Sequence, residues 1–199
     1  YNNRGSIYRD IGMYDLAIAD YTESIKLDID PLWYPYHNRG YVYRIIGDHD
    51  RALDDLDEAI RLSSDAIPYC TRGDIYSDKG DYDSAIADYT EGIRLDTQNA
   101  CAHIGRGNAY YNKGLPEQAF ADYSEAIRID PNKAEAYYNR GIVNRRIGKV
   151  DQAISDYTKA IELNHDPLSW VYHNRGIAYG ANGDYDSAIA DFTEAINLV

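Results

Sequence analysis

Cysteine, methionine and the larger hydrocarbon aromatics are nearly absent from this sequence of 199 residues: two cysteines (Cys70 and Cys101), one methionine, two tryptophans, two phenylalanines. Two thiols cannot staple a chain of this length, so its fold must rest on an apolar core. Positive charge is also short. Lysine and arginine number 20 against 33 acidic residues, a formal net charge of -13 at pH 7. That is the wrong sign for a surface that neutralises phosphates, which argues against nucleic acid as a partner. No apolar run approaches the roughly 18 residues of a membrane span, so membrane insertion is not expected. Hydrophobic residues still make up 44% of the chain, enough for a sizeable core. One surplus stands against these scarcities, 21 tyrosines, and their positions explain it.

The positions are periodic. A glycine that closes the string NRG or a close relative recurs at Gly5, Gly40, Gly73, Gly107, Gly141 and Gly176, with spacings of 35, 33, 34, 34 and 35. A second glycine keeps step at Gly12, Gly47, Gly80, Gly114, Gly148 and Gly183, and an alanine does so at Ala17, Ala52, Ala85, Ala119, Ala153 and Ala188. Within each unit, two stretches of about a dozen residues carry apolar side chains at helical spacing on either side of the second glycine. That glycine suits a left-handed position ending the first helix. The acidic residue three further on (Asp15, Asp50, Asp83, Glu117, Asp151, Asp186) suits the positive end of the second. A hairpin this short cannot bury its own apolar face, so neighbours must stack.

In the fourth unit His103, Gly107, Tyr110, Ala119, Tyr123, Ala126 and Pro131 occupy an aromatic, small, aromatic, alanine, aromatic, alanine, proline series. On these residues the chain resembles the tetratricopeptide repeat (TPR) family over essentially its whole length. Leu56 and Asn144 depart from aromatic slots, and the closing proline is clear only at Pro131. The resemblance implies an all-α fold, a right-handed α-solenoid superhelix of six antiparallel helix-turn-helix hairpins. It forms a single array over 1–199, with repeats at approximately 1–31, 32–65, 66–99, 100–133, 134–166 and 167–199. The abrupt opening with YNNRG inside a helical pattern suggests a segment of a longer chain.

The tyrosines fall into three slots: Tyr1, Tyr36, Tyr69, Tyr137 and Tyr172; Tyr8, Tyr43, Tyr76, Tyr110 and Tyr179; and Tyr21, Tyr89, Tyr123 and Tyr157. Most are expected in the core between helices. Two charged slots are invariant across the six units. Arg4, Arg39, Arg72, Arg106, Arg140 and Arg175 precede the first glycine, while Asp20, Asp55, Asp88, Asp122, Asp156 and Asp191 sit in the second helix. They are expected to form a structural arginine–aspartate ladder with two-point pairing, within units or between neighbours. The alternative is that the arginines grip an acidic ligand.

The family geometry implies an inner wall built mainly from first helices. The slot two before the first glycine reads Asn3, Asn38, Thr71, Gly105, Asn139 and Asn174. An asparagine amide both donates and accepts, so a row of them can hold a peptide backbone. This resembles the asparagine ladder of the O-linked N-acetylglucosamine transferase repeat domain, interrupted here at Thr71 and Gly105. The alternative is that these amides bond neighbouring helices. Further expected groove residues are Tyr34, His37, Tyr41 and Arg44 in the second unit, Tyr138, Ile142, Arg145 and Arg146 in the fifth, and Trp170, His173 and Ile177 in the sixth. Aromatic and arginine anchors concentrate binding energy, and micromolar affinity, about 8 kcal/mol, exceeds what a few amide bonds supply. In the third unit the slots turn small and acidic: Cys70, Thr71, Asp74, Ser77 and Asp78.

The lysine slot of the family's chaperone-tail clamp carries Asn2, His37, Cys70, Ile104, Tyr138 and His173, which implies that a chaperone C-terminal peptide is not the ligand. The five histidines lack metal-binding i, i+4 spacing, and Cys70 and Cys101, in adjacent groove slots, lack a clear third ligand. No cofactor, metal or catalytic residue is therefore expected. The junctions DPLWYPYHNRG (Asp30 to Gly40) and DPLSWVYHNRG (Asp166 to Gly176) match four units apart, pointing either to duplication of a four-unit block or to similar selection on shared slots.

The resulting expectation is a non-catalytic scaffold that binds an extended peptide or protein segment in its concave groove. Two alternatives compete with it. One is end-to-end self-association through uncapped ends, since the sequence ends at Leu198 and Val199 within a second helix, with no polar capping helix. The other is a regulatory domain of a larger enzyme.

Overall fold

The computed structural model describes residues 1–27 and 33–199. Asp30, Pro31 and Leu32 of the first matching junction lie outside the described residues. Twelve helices are described: α1 (Asn2–Asp10), α2 (Tyr14–Lys26), α3 (Trp33–Ile45), α4 (His49–Leu62), α5 (Ala66–Asp78), α6 (Tyr82–Leu95), α7 (Ala100–Asn112), α8 (Pro116–Ile129), α9 (Ala134–Arg146), α10 (Val150–Glu162), α11 (Leu168–Ala181) and α12 (Tyr185–Asn197). They group as two compact units, Tyr1–Thr97 and Gln98–Val199, each of three helical hairpins.

The break between the helices of each hairpin is chemical. Gly12, Gly47, Gly80, Gly114, Gly148 and Gly183 all have φ between 76° and 85°, the left-handed region that a side chain disfavours. The residue after each glycine returns its N–H to the carbonyl five residues back, as in Met13 to Tyr8 and Asp48 to Tyr43, closing the first helix. In three hairpins that residue is an aspartate, Asp48, Asp81 or Asp184. Its carboxylate accepts the N–H of Arg51, Ser84 or Ser187 and so caps the second helix as the first ends.

Close approach holds the hairpin shut. At Gly107 a Cβ would lie 2.7 Å from the ring of Tyr123, and at Gly141 2.7 Å from that of Tyr157. The fully buried rings of Tyr21, Tyr123 and Tyr157 therefore fill the space that the glycines leave, beside the buried alanines Ala17, Ala119 and Ala153. Leu56, which departs from the aromatic pattern, is equally buried.

Within each unit, a second helix packs on the first helix of the next hairpin: α2 on α3, α4 on α5, α8 on α9, α10 on α11. First helices also touch one another, α1 with α3, α3 with α5, α7 with α9 and α9 with α11, whereas among the described residues no second helix touches another within its unit. The first helices thus form the closer-packed wall of each unit, and the second helices form the splayed outer one.

This packing makes opposite demands on two glycines of the second unit. Gly107→Ala is expected to destabilise by about 1–3 kcal/mol, since the Tyr123 ring must move. Gly180→Ala, whose Cβ meets nothing closer than 4.0 Å, is expected to be neutral or to stabilise by up to ~1 kcal/mol through helix propensity. Urea denaturation of the two variants checks this, and equal losses would contradict it.

Candidate functional site: the first-helix wall and its supports

The wall stands on a repeated ion pair. Arg4, Arg39, Arg72, Arg106, Arg140 and Arg175 each donate Nε and Nη2 to both carboxylate oxygens of the aspartate in their own hairpin's second helix. The distances run from 2.6 to 3.0 Å. Asp20, Asp55, Asp88, Asp122, Asp156 and Asp191 are only 5–6% exposed, so the two-point bond replaces nearly all their hydration.

The arginine also reaches beyond its own hairpin. Nη1 donates to Thr22 from Arg39 (2.8 Å), to Asp57 from Arg72 (2.5 Å), to Ser124 from Arg140 (3.3 Å) and to Thr158 from Arg175 (3.0 Å). This oxygen on the preceding second helix was missed in reading the sequence. Its signal was present as the hydroxyl or carboxylate residue always two after the ladder aspartate, as in Asp20-Tyr21-Thr22 and Asp156-Tyr157-Thr158.

Two tyrosine slots serve the arginine more than the core. Arg4 lies between the rings of Tyr1 and Tyr8 (5.5 and 5.8 Å to their centroids), Arg39 between Tyr36 and Tyr43, and Arg175 between Tyr172 and Tyr179. Positions three before and four after the arginine share its helix face, so the rings shield the guanidinium and add cation–π attraction. Where the pattern breaks, a polar group substitutes. His103 Nδ1 is 3.1 Å from Asp122, and Asn144 Nδ2 donates to Asp156 at 2.9 Å. Burial pushes the Asp122 carboxyl up, but the bonds from Arg106 and His103 outweigh it and hold its pKa below the ordinary value.

On the wall itself, the asparagine slot bonds across hairpins. Asn38 donates to Asn2 (3.1 Å), Asn139 to Asn108 (3.0 Å), and Asn174 to the Tyr138 hydroxyl (2.9 Å) and the Trp170 carbonyl (3.1 Å). Thr71 donates to the Ile67 carbonyl, so its lone pair accepts from His37 Nε2–H at 3.0 Å. Burial lowers the His37 pKa, consistent with the neutral ring this bond uses. One donor of each of these amides is thus committed to the neighbouring hairpin. Asn3 is exposed on α1.

The other groove candidates divide by unit. In the first, Tyr34 stacks on Trp33 at 3.8 Å, Arg9 lies over Tyr41, and Arg44 is clasped by Asp74 and Asp78 of the next hairpin, both at 2.9 Å. Cys70 packs over Gly92. In the second unit, Tyr138 stacks on His165 at 4.7 Å and Arg146 lies 5.2 Å over Tyr111, while Arg145 sits half-buried beside the Tyr157 hydroxyl. Trp170 and His173 line an apolar hollow of about 660 Å³ shared by α11 and α12 with Phe192, Ala195 and Ile196. A second hollow, about 290 Å³, opens on the α7–α9 wall between Asn108, Tyr111, Asn112, Asn139, Ile142 and Glu135, floored by Tyr123. Cys101 is exposed. Among the described residues no group of three or more histidine, cysteine or acidic side chains is placed to hold a metal ion, and no helix is long and apolar enough to cross a membrane.

Comparison with known proteins agrees along the chain. Models described as "Tetratricopeptide repeat" match residues 1–30, 35–65, 100–133 and 132–199, and one described as "TPR repeat" matches residues 73–114. Among curated proteins no sequence matches. Among solved structures, MamA is 28% identical, with 80% of this chain and 93% of that chain covered and a TM-score of 0.73. YrrB, a TPR protein with an unusual peptide-binding site, is 22% identical, covering 89% and 91% at a TM-score of 0.71. The first TPR of Spaghetti (RPAP3), bound to the HSP90 peptide SRMEEVD, is 26% identical over 61% of this chain and 95% of that one, with a TM-score of 0.58.

The depressed Asp122 pKa has a sign that can be checked. The ion pair contributes fully above the ordinary carboxylate value, and the contribution is lost as pH falls through the lower folded value. The stability gap between wild type and Asp122→Asn, from thermal or urea unfolding, is therefore expected to be widest near neutrality and to narrow below about pH 4. A gap constant down to acid pH would contradict this.

Proposed function

The chain belongs to the tetratricopeptide repeat family, and from that premise we propose that it is a non-catalytic interaction scaffold whose first-helix wall holds an extended segment of a partner protein. The observation that carries the reading is the hollow on the α7–α9 wall, where the amides of Asn108, Asn112 and Asn139 converge with the Tyr111 ring. Amides at the pitch of the hairpins can meet a peptide backbone without reading its side chains, and the ring supplies the apolar area that amide bonds alone lack. The fold is one on which YrrB has a peptide-binding site and the RPAP3 repeat holds a peptide. That likeness supports the peptide class of ligand and leaves its sequence open.

Extended peptides selected from a random displayed library on wild-type protein test this. Tyr111→Ala is expected to weaken them about tenfold or more, the loss of an aromatic anchor. Gln152→Ala, exposed on the outer helix α10, is expected to leave them unchanged. Equal binding by wild type and Tyr111→Ala would remove the wall from the mechanism.

A further inference from the structure

In this acidic chain the arginines are almost uniformly spoken for. Besides the six of the ladder, Arg9 pairs with Asp10, Arg44 with Asp74 and Asp78, Arg51 with Asp48, Arg61 with Glu58, Arg94 with Glu91 and Arg128 with Glu125. Among the described residues only Arg145 and Arg146, adjacent at the C-terminal end of α9, have no carboxylate. Arg145 Nε is buried against the Tyr157 hydroxyl, and no carboxylate among these residues meets either guanidinium. A guanidinium has five donors, so with Nε turned inward its remaining N–H groups still call for an acceptor.

The repeat register shows what that acceptor resembles. Arg145 lies four residues after Gly141, the place Arg44 holds after Gly40. Arg44 is answered by the next hairpin, through Asp74 and Asp78, one and five residues after Gly73. In the hairpin following Arg145 those two places are Ile177 and Ala181. The chain thus supplies two carboxylates to the arginine of the first unit and none to its counterpart in the second. The Tyr157 hydroxyl lies against Arg145 because its usual partner is replaced as well. Tyr21, Tyr89 and Tyr123 bond Ser6, Asp74 and Asn108, and the corresponding residue in the fifth hairpin is Ile142.

Resting on the peptide-binding reading above, we propose that Arg145, with Arg146, is a carboxylate seat on the wall of the second unit, filled by an acidic residue or terminus of the bound peptide segment in the role that Asp74 and Asp78 play for Arg44. Arg146, stacked on Tyr111, carries the seat to the rim of the α7–α9 hollow. Glu135 is the one carboxylate lining that hollow, and it lies ten residues earlier on α9, about 15 Å along the helix axis. An acidic group at Arg145 is therefore well removed from it, beyond a Debye length at physiological salt.

The test is selection from a random decapeptide library displayed with its C-terminus tethered, so that only side-chain carboxylates are offered. Wild-type protein is expected to enrich Asp and Glu. Glutamine isosteres of the selected peptides are expected to bind about tenfold more weakly, the scale of one charge-assisted hydrogen bond. Two variants read the seat in opposite ways. Arg145→Gln with Arg146→Gln removes it, while Ile177→Asp with Ala181→Asp refills it from within by copying Asp74 and Asp78, on half-buried and exposed positions that tolerate the change. Both are expected to abolish the acidic enrichment. The selected peptides, synthesised with free and amidated C-termini, show whether a terminal carboxylate serves equally. Peptides enriched without acidic bias and unaffected by either double variant would overturn the seat and leave peptide binding intact. No enrichment at all would overturn both.

Discussion

The bidentate bond between an arginine of each first helix and an aspartate of each second helix is the constraint from which the remaining geometry follows. The aspartate is almost wholly removed from water, and its carboxylate is tolerable there only because two charge-assisted bonds meet it. The same guanidinium spends its third nitrogen on the previous hairpin at Arg39, Arg72, Arg140 and Arg175. One side chain thus closes its own hairpin and fixes the approach of the next. The tyrosines three before and four after complete the enclosure, which accounts for much of the tyrosine surplus and the shortage of phenylalanine. A ring that walls in a cation at the surface of a hairpin benefits from a hydroxyl that reaches water.

Once the second helices are held by these pairs, first helices touch across hairpins within each unit, and among the described residues second helices there do not. The first-helix wall is therefore where side chains of successive repeats converge. The two units use this wall differently. In the first unit Arg44 is neutralised by Asp74 and Asp78, and His37 and Thr71 satisfy each other. In the second the corresponding arginine is left open next to a hollow lined with amides. The same scaffold thus has one stretch internally satisfied and another carrying unmet hydrogen-bonding capacity.

Much of this was legible from spacing. Six registers of glycine and alanine located the hairpins, and the left-handed glycines are where the pattern put them, because only a residue without Cβ sits easily at that φ. The invariance of Arg and Asp pointed to contact, while geometry alone showed that the pairing is within hairpins. Less visible was the destination of the wall asparagines, since an amide facing a neighbour and one facing solvent leave the same mark in a sequence. The hydroxyl two residues after each ladder aspartate was overlooked because threonine, serine and aspartate alternate there, sharing an oxygen and no other feature. The open state of Arg145 was hidden for a related reason: it depends on what is missing from Ile177 and Ala181, one repeat away.

The most direct test of the central pairing is a double-mutant cycle in urea on Arg140→Met and Asp156→Asn. Removing one member leaves the other without its charged partner, with only a neutral bond remaining, from Asn144 to Asp156 or from Arg140 to Ser124. Each single change should then cost about 3–5 kcal/mol, and the double change little more than either alone. Additive losses, or single losses within the range of ordinary surface substitutions, would contradict the account.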